Sequence, residues 1–122
     1  NKQMVTGDID FPYGNADVQS FAPAAAVTLT VKNLLTYFLA SAAMAAGMTI
    51  NFAIDGQIRP GARVVVRAAS DGTARTVTPG TGAQGLAVTG VINGVFEYEF
   101  EYKPSTAVGT FAFVLINARQ VA

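Results

Sequence analysis

The chain contains no histidine and no cysteine. Without histidine, the commonest acid–base side chain and the commonest non-thiol metal ligand are both missing. Cys–His and Ser–His–Asp nucleophile systems cannot be assembled. Disulfides and thiolate metal sites are excluded. Charge is scarce as well: 13% of residues are Asp, Glu, Lys or Arg, against roughly 25% in an average soluble domain. A small domain has a large surface to keep hydrated. So few charges imply that neighbouring subunits cover much of that surface; the alternative is a surface of Thr, Ser, Gly and Asn that is soluble without charge. The 8 basic residues balance the 8 acidic ones. The chain therefore lacks the basic excess that nucleic acid or an anionic membrane surface calls for.

Long apolar runs are missing too. The longest, residues 34–48, is broken by Thr36, Ser41 and Gly47 and falls short of the ~20 residues of a membrane helix. The start, Asn1-Lys2-Gln3-Met4, is not followed by an apolar run, so no signal peptide is expected. Gly80, Gly82 and Gly85 have the spacing of a dinucleotide-binding loop. That motif opens a helix, whereas Leu86-Ala87-Val88-Thr89 reads as strand, so no nucleotide site is expected there.

What is present is β patterning on the scale of one domain: 122 residues suffice for a single modest core. Ala25, Val27, Leu29 and Val31 alternate with Ala26, Thr28 and Thr30; Met48, Ile50, Phe52 and Ile54 alternate with Thr49, Asn51 and Ala53. Period two marks half-buried strands. Val64-Val65-Val66 reads as a buried strand core. Asp71-Gly72 and Asn93-Gly94 carry hairpin-turn chemistry, predicting one hairpin from residues 62–68 into 73–78 and another from 86–92 into 95–102. A last strand is expected over residues 110–116. Residues 34–46 have helix-forming Ala and Leu, but Leu35, Tyr37 and Leu39 alternate with Leu34, Thr36 and Phe38, and no capping box opens the stretch. A strand followed by an irregular turn is favoured over a short helix. No internal repeat of fixed period is visible. The expected fold is all-β: a single-domain β-sandwich or jelly-roll-like barrel over residues 25–122, with an extended N-terminal arm over residues 1–24.

Glu97, Glu99 and Glu101 interleave with Phe96, Tyr98, Phe100 and Tyr102. On a strand, three carboxylates then share one face and four aromatics the other. Paired carboxylates serve glycoside hydrolysis when they face each other across a substrate, but residues two apart on one strand stand side by side, about 6.5–7 Å apart. Arg63 and Arg67 share parity on their own strand, with Arg59 and Arg75 nearby in sequence. We expect the arginines to pair with the glutamates, within the sheet or across a subunit interface. Asp8, Asp10, Asn15 and Asp17 offer oxygens but not the spacing of a calcium loop. Phe11, Tyr13 and Phe21 are candidate plugs into a neighbour's pocket. No catalytic, cofactor or metal residue is assigned.

The run from Ala69 through Ser70-Asp71-Gly72-Thr73-Ala74-Arg75-Thr76-Val77-Thr78 to Pro79-Gly80-Thr81-Gly82 resembles a recurring segment of tailed-bacteriophage virion structural proteins. There a strand, a Ser-Asp-Gly turn, an Ala-Arg-Thr-Val-Thr strand and a Gly-Thr-Gly turn follow one another. Where this chain has Pro79 the family often has Phe. Leu34-Leu35-Thr36-Tyr37, Thr49 through Asp55 and Pro60-Gly61-Ala62 are similar as well, so the resemblance spans residues 25–102. It implies a non-enzymatic capsid-decoration or head-fibre subunit, made in the host cytoplasm and residing on the particle surface. Its implied partners are other copies of itself, a trimer being one such form, and virion proteins such as the major capsid protein. It supplies no cofactor and no catalytic residue. A receptor- or glycan-binding module of a tail fibre, and a cellular surface filament assembled by strand addition, are the alternatives.

Overall fold

The computed structural model describes residues 17–55, 58–104 and 111–122. Ten strands follow one another: β1 Asp17–Phe21, β2 Ala26–Val31, β3 Leu35–Ala40, β4 Met48–Ile54, β5 Arg63–Ala69, β6 Thr76–Pro79, β7 Ala83–Gln84, β8 Val88–Thr89, β9 Val95–Pro104 and β10 Phe111–Gln120. No helix occurs among the described residues. They form two sheets, six strands in the order β1-β3-β5-β9-β10-β7 and four in the order β2-β4-β6-β8.

Up to β6, consecutive strands alternate between the sheets, so the chain winds from one to the other and back. β1, β3 and β5 consequently lie parallel in one sheet, and β2, β4 and β6 parallel in the other. Parallel neighbours need a crossover between them; here each crossover contains a strand of the opposite sheet. The step between register partners varies, from Asp17 to Thr36 and then from Leu35 to Arg63, which is why no fixed period shows in the sequence. β9 and β10 extend the six-stranded sheet as an antiparallel pair, β9 lying against β5 and β7 lying parallel along the outer side of β10.

Alternation decides which side chains face inward. Leu29, Val31, Met48, Ile50, Phe52 and Val77 from the smaller sheet join Phe38, Val64, Val66, Tyr98, Phe100 and Phe113 from the larger in one buried cluster. The sheets meet through Phe52, whose ring centroid lies 4.9 Å from Phe100, edge-on, and 4.8 Å from Phe113. Each such aromatic pair contributes about 0.5–1.5 kcal/mol beyond the area it buries.

Three expectations are corrected. Neither the Asp71-Gly72 nor the Asn93-Gly94 turn makes a hairpin: β5 and β6 lie in different sheets, as do β8 and β9. The parallel ladders depart from the antiparallel pairing of a jelly roll. The proposed arm reaches too far: its residues 17–21 form β1, paired with β3, and Phe21 packs against this chain's own core. Phe11 and Tyr13, with Asp8, Asp10 and Asn15, lie outside the described residues. Residues 34–46 are a strand followed by irregular chain, as expected. Met44 anchors the irregular part, buried and bridged to Ser70.

One core position is polar without a partner. Thr36 is fully buried and its Oγ1 makes no hydrogen bond. Such a hydroxyl costs about 1–3 kcal/mol, and valine has nearly the same shape. Thr36→Val should therefore raise the urea midpoint by the equivalent of about 1 kcal/mol with an unchanged m-value. A lower midpoint would mean that the hydroxyl is satisfied in solution.

Burial pushes the Tyr98 phenol from 10.0 up to about 12. The folded state favours the protonated form, so this contribution is complete below the unfolded value and is lost as pH rises through the folded one. Stability should fall by roughly 1.4 kcal/mol per pH unit across that window. In Tyr98→Phe, denaturant melts over the same pH range should show a correspondingly shallower decline.

Candidate functional site

The charged side chains expected to carry function come together on the outer face of the larger sheet. The antiparallel register sets Arg63 opposite Glu101 and Arg67 opposite Glu97. On the other flank of β9, Arg119 of β10 stands opposite Glu97. The arginines use this placement. Arg63 lies 3.2 Å from Glu99 and 3.8 Å from Glu101. Glu97 lies between Arg67 at 3.7 Å and Arg119 at 3.0 Å. Three glutamates and three arginines thus form a strip across β5, β9 and β10, and the pairing runs within one chain's sheet.

The geometry is one of mutual neutralisation. The carboxylates project side by side from one strand and each has an arginine beside it. Glu97 is the most covered, its side chain 13% exposed, while Arg119 is 60% exposed. Val65 lies between Arg63 and Arg67 on this outer face and is 7% exposed, flanked in register by Tyr37 and Glu99. The strip covers apolar surface as well as balancing charge.

Arg75 belongs elsewhere. Its Nε and Nη2 donate to the two carboxylate oxygens of Asp71, both at 2.9 Å. Asp71 Oδ1 also accepts from the Thr73 amide at 3.0 Å, and Ser70 Oγ accepts from the Arg75 amide at 3.1 Å. The arginine hydrogen bonds hold the Asp71 carboxyl below its ordinary range. The segment carrying the phage resemblance is therefore a self-bonded crossover from one sheet to the other. Gly80-Thr81-Gly82 is a second crossover, from β6 to β7. Thr81 N donates to Asn51 Oδ1 at 2.8 Å, and the carbonyls of Thr81 and Gly82 accept from Phe52 and Phe113, each at 2.8 Å. A side chain at Gly80 would collide with Asn51 Oδ1 and the Ile50 carbonyl. Gly80 thus lets the chain lie close against β4 of its own sheet, and Gly82 takes a positive φ of 75°.

Arg119 was missed from sequence because the last strand was expected to end at Ile116; it continues to Gln120. Asp17 accepts from Gln19 Nε2 at 2.7 Å and from Asn33 Nδ2 at 3.1 Å. Among the described residues, no group of three or more His, Cys, Asp or Glu is placed to hold a metal ion. A shallow groove of about 400 Å³ lies beside Arg67, lined by Leu39, Ala40, Ala68, Val95 and Ala122. No family model, curated protein or solved structure matches the chain.

The strip's energetics are testable. A double-mutant cycle on Arg119 and Glu97 should give a coupling below about 1 kcal/mol that shrinks in high salt. Glu97→Gln leaves Arg67 and Arg119 without a counter-charge and should destabilise more than Glu101→Gln, where Arg63 retains Glu99. Equal losses would show that the two positions are energetically alike.

Proposed function

We propose that this protein is a non-enzymatic structural subunit that works by packing against other protein chains, and that its setting is a phage particle, as a capsid-decoration or head-fibre component. On this reading its two sheets form a β-sandwich whose outer surfaces are the working parts. The observation that carries it is the composition of the four-stranded sheet. Strands β2, β4, β6 and β8, reading AVTLTV, MTINFAI, TVTP and VT, contain no charged residue. Their outward positions are Thr28, Thr30, Thr49, Asn51, Thr76, Thr78 and Thr89, with Ala26 and Ala53.

Charged residues are depleted at the cores of protein interfaces because each must be desolvated there. A sheet face of short, uncharged side chains can be buried at little such cost. The three glutamates and three arginines of the strip on the other sheet neutralise one another in place. Each carboxylate of the strip is held beside an arginine. The placement of the virion setting rests on the resemblance across residues 25–102.

Light scattering on the purified chain across a concentration series tests the packing role. The expected mass is that of an oligomer which resists dilution. A single-chain mass at every concentration, together with no co-sedimentation with phage capsids, would overturn it.

A further inference from the structure

The two ends of the winding differ. At one end, β1 and β2 are the last strands of their sheets among the described residues. The Ala25 and Val31 carbonyls accept from Thr49 and Asp55, on the β4 side. By strand alternation, Ala26, Thr28 and Thr30 turn their N–H and C=O groups outward. The Phe21 carbonyl accepts from Ser41 on the β3 side, so Val18 and Ser20 do the same in the other sheet. At the opposite end the strands β7 and β8 are two residues each. The free part of β10 there carries a register break between Leu115 and Asn117, followed by Arg119. Short strands, bulges and charge are the devices that keep sheet edges from pairing. The far end has all three, whereas β2 has six residues, no charge, no proline and no bulge.

We infer that β2 is a docking edge for a second copy of this chain, the two β2 strands pairing antiparallel about a two-fold axis to join two four-stranded sheets into one. This rests on the reading of the protein as an assembly subunit and names the surface and partner. The sequence of β2 is self-complementary for such pairing. With the axis at Thr28, the outward backbone groups of Thr28 meet those of its symmetry mate, and Ala26 meets Thr30. On the inner face Val27 comes opposite Leu29, extending the apolar core across the joint. No like charges are brought together, a requirement whenever a strand pairs with itself. Head-to-tail stacking would set this edge against two-residue strands. The end-to-end arrangement instead uses the long edge twice and closes at two copies.

The test uses the full chain with Thr28→Lys and Thr28→Glu. Thr28 is exposed in the single chain, so both variants should keep the wild-type circular dichroism and a cooperative melt, without the concentration dependence that dimerisation gives the wild type. Wild type is expected at twice the single-chain mass. Each variant alone is expected at the single-chain mass, because like charges meet on the axis. Their equimolar mixture is expected to regain the double mass. Thr28→Pro, which removes an outward N–H without adding charge, should also be monomeric. An oligomer whose mass none of these substitutions changes would overturn the inference and leave the assembly reading standing, and so would a wild-type trimer. A wild type that dimerises only after residues 1–16 are removed would assign the edge to that segment and equally overturn it. A wild type that is monomeric both with and without residues 1–16 would overturn the inference and remove the self-assembly part of the broader reading.

Discussion

Slide β9 by one residue along β5 and the molecule loses both its surfaces at once. Arg63 and Arg67 would face aromatic residues, and the glutamates would turn into the space that Tyr98 and Phe100 now fill. Side chains alternate with a period of two, so a single-residue slip exchanges the faces of the whole strand. The observed register, with Arg63 opposite Glu101 and Val64 opposite Phe100, satisfies the charged side and the apolar side together. It also joins the parallel strands β1, β3 and β5 to the antiparallel pair β9 and β10. The position of Phe100 and Phe113 against Phe52, and hence the meeting of the two sheets, follows from that ladder.

The connections are specified as closely as the strands. A crossover must satisfy its own backbone groups while leaving one sheet for the other. Ser70, Asp71 and Arg75 achieve this with a short bonded loop, and the Asp71 carbonyl also accepts from the Asn93 amide. Two loops with hairpin-like sequences are thereby tied to each other, although neither joins paired strands. Within the Ser-Asp-Gly-Thr-Ala-Arg string, Ser70, Asp71, Thr73 and Arg75 carry these bonds.

Much of the architecture was legible from residue pattern. β2, β4, β5 and β9 fall where alternation and valine content place them, and the arginine–glutamate pairing was foreseen from parity on two strands. The failures have physical causes. Asp-Gly and Asn-Gly report that the chain turns; they carry no information about which sheet receives it. β1 escaped notice because its inward positions are Asp17, Gln19 and Phe21, two of them polar, so the apolar alternation that marks a strand is absent. Arg119 escaped because the bulge between Leu115 and Asn117 shifts the alternation by one residue, so the pattern breaks where the strand only changes parity.

The winding also sets an order of events. Chains emerge from the ribosome N-terminus first, yet β1 and β2 cannot pair until β3 and β4 have followed them. Two of the three rings at the centre of the core, Phe100 and Phe113, belong to β9 and β10, which follow every strand of the smaller sheet in sequence. Until those strands are available, Phe52 has neither partner and one face of the smaller sheet is uncovered. Completion of the core therefore waits on β9 and β10, and the many pairings between residues distant in sequence are those of slow-folding β topologies. A sheet edge without charge is exposed for the whole of that delay, when unfinished chains can pair along it.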